Sequence, residues 1–84
     1  MFEKEFNKLN LLQRMEYVAL EGDLISQIKH YSYRICLYTV HGFYIEAFFD
    51  LHSNEVTDVA ILDPDDARMG LYANTVDISG LLKQ

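Results

Sequence analysis

The stretch Tyr33–Leu51, YRICLYTVHGFYIEAFFDL, constrains this chain more than any other. It has the β-branched and aromatic content of two strands, with Gly42 between them as the turn residue. Aromatic and aliphatic side chains fall at both odd and even positions. A half-buried strand alternates apolar with polar; this pair does not, so both of its faces need cover. Two turns fit the glycine. A three-residue loop, Val40-His41-Gly42, gives Gly42 the positive φ of a bulge. It sets Tyr33, Ile35 and Leu37 on one face with Phe43, Ile45, Ala47 and Phe49. Arg34, Cys36 and Tyr38 then share the other face with Tyr44, Glu46 and Phe48. A two-residue loop, His41-Gly42, shifts the register by one residue and mixes these sets. The first register is preferred because it separates an apolar face from an amphipathic one.

The flanking segments give an α+β order. Phe2, Phe6 and Leu9 form a helical stripe that slips at Asn10, where NLLQ reads as a variant capping box. The N-terminal helix is therefore expected to break near Asn10 and restart over Leu11 to about Glu21. Leu11, Met15 and Val18 form its apolar stripe, widened by Leu12 and Ala19. Gly22 stands where a left-handed C-terminal cap is expected. Leu24–Lys29 reads as a strand, with a further helical turn as the alternative, and HYSY as a connection. Val56–Leu62 reads as a strand with Val59 and Ile61 inward. In LDPDD, Asp63 suits an N-cap, Pro64 the first helical position, and Asp65 and Asp66 the positive end of a helix dipole. A short helix is expected from Pro64 to about Tyr72. The tail carries Val76, Ile78, Leu81 and Leu82 and is expected to dock. The whole chain, residues 1–84, reads as one domain: an N-terminal helix, an antiparallel meander of three or four strands, a short C-terminal helix and a docked apolar tail.

A helix leading into a meander, with FYIEAFFDLHSNEVTDV as its last hairpin, resembles PepSY-type domains. Glu55 stands where that family has a glycine after the turn residue. The resemblance implies the same helix-and-meander shape and carries over no functional residue.

Charge and cysteine usage narrow the function. Residues 1–42 carry five acids and five bases, whereas residues 43–84 carry eight acids against Arg68 and Lys83. Nucleic-acid binding needs clustered Lys and Arg to displace counterions from phosphate, and none is present. No run of about 18 apolar residues exists to span a membrane. The N-terminus is not a secretory signal, and the one cysteine, Cys36, fits a reducing compartment, so the expected address is the cytoplasm.

Catalytic motifs are missing. No glycine-rich phosphate loop or GxSxG occurs. Cys36 lies about 16 Å along the strand from His41, too far for a nucleophile and its base. Glu46, the one acid within an apolar strand, is expected to pair diagonally with Arg34. No cofactor is expected. His30, His52 and Asp50 come together at one end of the hairpin and are the candidate metal ligands. DPDD with Asp58 has oxygen donors but no EF-hand spacing, and helix capping accounts for it.

The second face of the hairpin then carries the functional question. Arg34, Tyr38, Tyr44, Glu46 and Phe48 project together in the preferred register. Tyrosine and arginine join large apolar area to a polar tip, which suits interfaces. Three readings stand: the C-terminal helix and tail cover this face, a protein partner or second copy covers it, or it lines a small-molecule pocket. The expected function is a non-enzymatic protein-interaction or self-association domain. A small ligand- or metal-binding domain using His30, His52 and Asp50 is the alternative.

Overall fold

The computed structural model describes residues 2–72. Helix α1 (Phe2–Lys8) and helix α2 (Leu11–Glu21) are followed by four strands: β1 (Asp23–His30), β2 (Tyr33–Val40), β3 (Phe43–Asp50) and β4 (Val56–Leu62). A 3-10 helix, Ala67–Tyr72, closes the described chain. The strands form one antiparallel sheet in the order β1-β2-β3-β4. The fold is α+β, as the sequence implies. The apolar tail, with Val76, Ile78, Leu81 and Leu82, lies outside the described residues.

The helix break falls at Asn10 through the expected chemistry. The Asn10 side chain accepts from the Gln13 backbone N–H at 2.8 Å, and the Gln13 side chain accepts from the Asn10 N–H at 3.0 Å. Two amides that α2 would otherwise leave unpaired are thereby satisfied. The far end differs from expectation. Gly22 is extended, with φ −96° and ψ 157°, not left-handed. Its requirement for glycine is steric. A Cβ there would lie 2.7 Å from the Val18 carbonyl oxygen and 2.9 Å from Val40 Cγ2. The absent side chain lets the end of α2 close directly onto β2.

The register of the central hairpin is the two-residue one. Val40 pairs with Phe43, and His41 and Gly42 take φ 49° and 83°. Positive φ at both turn positions matches the right-handed twist of the strands, whereas a longer loop would leave a bulge. Cys36 therefore faces Ala47, and Tyr38 faces Ile45. Separating an apolar from an amphipathic face was the wrong criterion, because this sheet is a middle layer with a core on each side.

One core holds Phe6, Val18, Cys36, Val40, Ile45, Ala47 and Val59, with Leu9, Met15 and Tyr17 packed from the helices. The other holds Ile28, Ile35, Leu37, Leu62 and Tyr72, with Met69 packed from the 3-10 helix. A sheet covered on both faces carries near-continuous apolar strands. Leu11, Leu12 and Ala19 do not join the core; α2 buries Val18 and half-buries Arg14, Met15 and Tyr17 instead.

Two further differences concern turns. HYSY is a tight hairpin: His30 pairs with Tyr33 across Tyr31 and Ser32, and Tyr31 takes φ 58°. The acidic LDPDD starts later than expected. Asp63 Oδ1 accepts from the Asp65 N–H at 2.8 Å within a turn. Asp66 is the residue that caps the 3-10 helix, accepting from the Arg68 N–H at 2.8 Å.

Candidate functional site

The register divides the expected aromatic face. Cross-strand partners share a face, so Arg34 and Tyr38 lie on the helix side with Ile45 and Phe49. Tyr44, Glu46 and Phe48 lie on the opposite side with Ile35 and Leu37. The five residues do not form one surface.

On the helix side, Arg34 stacks its guanidinium over the Phe49 ring at 5.1 Å and donates from Nη2 to Asn54 Oδ1 at 2.9 Å. It does not pair with Glu46, which lies through the sheet. Tyr38 is half-buried against the helical core and stands opposite Leu24. Burial raises the Tyr38 phenol, with the neighbouring Cys36 adding to the rise and Arg34 opposing it. Burial also raises the Cys36 thiol, opposed by the charge and hydrogen bond of Arg34. A thiol held protonated in a core is a poor nucleophile.

On the other side, Glu46 is 2% exposed yet fully engaged. Tyr72 donates its hydroxyl to Oε2 at 2.6 Å, and Arg68 Nη2 lies 2.9 Å from Oε1. Arg68 also stacks over the Phe48 ring at 5.0 Å. Burial, then the hydrogen bond and charge of Glu46, push the Tyr72 phenol far above its ordinary range. This cluster fastens the 3-10 helix to the sheet. Tyr44 and Phe48 pack on the same core and are half-buried. The C-terminal part of the described chain thus covers much of the face that Tyr44, Glu46 and Phe48 occupy.

The candidate metal ligands are held apart by their own tasks. Asp50 Oδ1 accepts from the His52 N–H at 2.7 Å and the Ser53 N–H at 3.1 Å, and these bonds hold its carboxyl below the ordinary range. His30 lies two strands away, with its ring against Tyr31 at 4.4 Å. Among the described residues no three His, Cys, Asp or Glu gather around a common point that would hold a metal ion. A shallow, open depression of about 360 Å³ lies between Glu3, the Gly42 turn and the end of β4. Of the five expected interaction residues it takes in Tyr44 alone.

The feature that sequence reading missed is the β1 side of the molecule. Among the described residues nine large apolar side chains are exposed; Leu24 and Ile25 lie on β1, and Leu20, Tyr31 and Tyr33 lie within three residues of its ends in the chain. Leu20 is 82% exposed and Tyr31 88%. Strand β1 also carries a bulge between Leu24 and Ser26, which turns Ile25 out of the regular alternation. LISQIK gives no sign of this, because an edge strand is recognised only from its neighbours.

Compared with known proteins, the chain matches no family model, no curated protein and no solved structure. None of these comparisons supports the resemblance to PepSY-type domains. Among the described residues no helix is long and apolar enough to cross a membrane.

Proposed function

We propose that this chain is a non-enzymatic protein-interaction domain of the cytoplasm, and that its contact surface is the β1 side, not the aromatic face first expected from sequence. The observation that supports it is that Leu24 and Ile25 on this edge strand are exposed, as are Leu20, Tyr31 and Tyr33 within three residues of its ends. Isolated exposed apolar residues are ordinary, but grouped ones mark contact sites. The acidic stretch 58–66 is a less favoured surface, since Asp58, Asp63 and Asp66 are each engaged with backbone amides.

Affinity capture with the tagged chain tests the reading, comparing wild type with a Leu20→Ser/Leu24→Ser double variant. Both positions are exposed, so the fold should survive, as circular dichroism will show. A specific binder, another copy of the chain included, is expected with the wild type and lost with the variant. Identical captured material for both, with no species depending on these leucines, would overturn the proposal.

A further inference from the structure

Two cations stand side by side on one face of the sheet. His30 and Tyr33 close a two-residue turn and so form a hydrogen-bonded pair. The two kinds of pair alternate, so Lys29 and Arg34, the next along, form a non-hydrogen-bonded pair. The backbone N–H and C=O of Lys29, and of Gln27 two residues before it, turn away from β2. Side chains of such a pair are the closest in a ladder, and like charges there repel. Lys29 and Arg34 lie on the helix side, at the opposite end of β2 from Val40, where α2 closes onto the strand.

No carboxylate among the described residues is in ion-pair contact with either cation. The Arg34 guanidinium is nevertheless held in place. It stacks on the Phe49 ring and gives Nη2 to Asn54, while Nε is buried with no hydrogen-bond partner among the described residues. A buried donor without an acceptor costs stability, and so does an unrelieved pair of like charges. Both costs fall at one point, and such local violations are kept where a site needs them. Gln27 lies on the same face beside Lys29, and both are exposed. Its Oε1 accepts from the Cys36 thiol at 3.6 Å, which leaves the amide NH2 to donate elsewhere. Three donor side chains thus share a patch whose other members, Cys36 and Phe49, carry no negative charge.

We infer that Lys29, Arg34 and Gln27 form a binding site for a phosphate-type oxyanion, whether free phosphate or the phosphate of a monoester. The anion relieves the repulsion between the two cations, which explains why they are set together. Arg34 is the fixed donor, and Lys29 is the mobile point charge that closes over the anion. A carboxylate is best matched by two parallel N–H groups of one guanidinium. Here that fork is divided, because Nη2 serves Asn54 and Nε is buried. Single donors from three side chains suit the several oxygens of a tetrahedral anion instead. One lysine and one arginine are too few to follow a nucleic-acid backbone, so the ligand is small. This goes beyond the interaction reading and stands on different residues.

An NMR titration of the full chain with sodium phosphate to about 50 mM tests this, at constant ionic strength so that screening does not change. Amide shifts at Gln27, Lys29 and Arg34 are expected to saturate, with a dissociation constant on the order of millimolar. Lys29→Gln should weaken binding at least about tenfold. The position is exposed, so the fold should survive, as the spectrum itself will show. Lys4→Gln removes the same charge from α1 and should leave binding unchanged. Glycerol phosphate separates the two sources: tighter binding than inorganic phosphate identifies a monoester, and weaker binding the free anion. Acetate should bind at least about tenfold more weakly than phosphate. Shifts that do not saturate would overturn the inference, as would Lys29→Gln binding phosphate like wild type, Lys4→Gln losing as much as Lys29→Gln, or acetate binding as well as phosphate.

Discussion

The β4 edge and the β1 edge of this sheet are built from similar lengths of strand, seven residues against eight, yet among the described residues a helix side chain is seen to bond only to the β4 edge. Strand β4 is guarded by Arg14, which also donates to the carbonyls of Leu9 and Asn7 at 3.0 and 3.1 Å and lies over the Phe6 ring at 5.3 Å. One guanidinium thus ties α1 to α2, ties both to the sheet, and covers an edge. Among the described residues strand β1 has no such guard; Ile28 anchors it in the core that the 3-10 helix covers, and Gln27 accepts from the Cys36 thiol at 3.6 Å on the helix face. The difference teaches that closing an edge here is a by-product of helix packing. Helix α2 seats toward β4 and β2.

The largest effect expected from breaking this contrast is at Arg14. Arg14→Ala removes three charge-assisted hydrogen bonds and the cover of Phe6, and should cost about 3 kcal/mol. Urea denaturation will read the loss. The same variant uncovers the Val59 carbonyl, so the β4 edge should lose its protection there. Amide exchange will show whether it does.

Next is the anchor beside β1. Tyr72→Phe leaves buried Glu46 with Arg68 alone and should cost about 1–2 kcal/mol. If the 3-10 helix supports β1, exchange at Ile28 will quicken more than exchange at Val59. Equal quickening would mean that the two edges share one unfolding unit.

Asp58→Ala tests the β4 cap by itself. It should cost about 0.5–1 kcal/mol, because the Val59 amide exchanges a side-chain partner for water. The Val59 amide should then exchange at a rate closer to those of Gln27 and Lys29.

The smallest effect is acid sensitivity of the turn leading into β4. Asp50 is held below its ordinary value by the Ser53 and His52 amides. A carboxyl depressed in the folded state adds stability above its unfolded pKa and loses it as pH falls through the folded one. Below the ordinary carboxylate range the Leu51–Glu55 turn should loosen first, with the Tyr31–Ser32 turn unaffected. Amide shifts through an acid titration will separate the two turns, and Asp50→Asn should flatten the response.

Much of the fold was legible in local chemistry. NLLQ marked the capping box because an N-cap and its partner lie within four residues. Val56–Leu62 was legible as a strand from its composition, and β1 less clearly so. The expected interaction residues fared less well. Arg34, Tyr38, Tyr44, Glu46 and Phe48 were grouped by a register, and a register turns on one residue of loop length. Once the loop is His41-Gly42, Arg34 and Glu46 lie on opposite sides and find other partners. Leu20, Leu24 and Ile25 were passed over because nothing in their own sequence distinguishes an edge strand from an inner one.

By itself the sequence determined the elements: two helices broken at Asn10, strands of apolar residues too dense for a sheet with one wet face, and a short helical segment ending at Tyr72, though not the turn that precedes it. Each follows from interactions among near neighbours. Only the tertiary structure decided which side chains meet: Glu46 with Tyr72 and Arg68, Arg14 with the edge of β4, and no strand among the described residues with the edge of β1. Those outcomes depend on how layers stack and where the helices stop, and residues distant along the chain settle both.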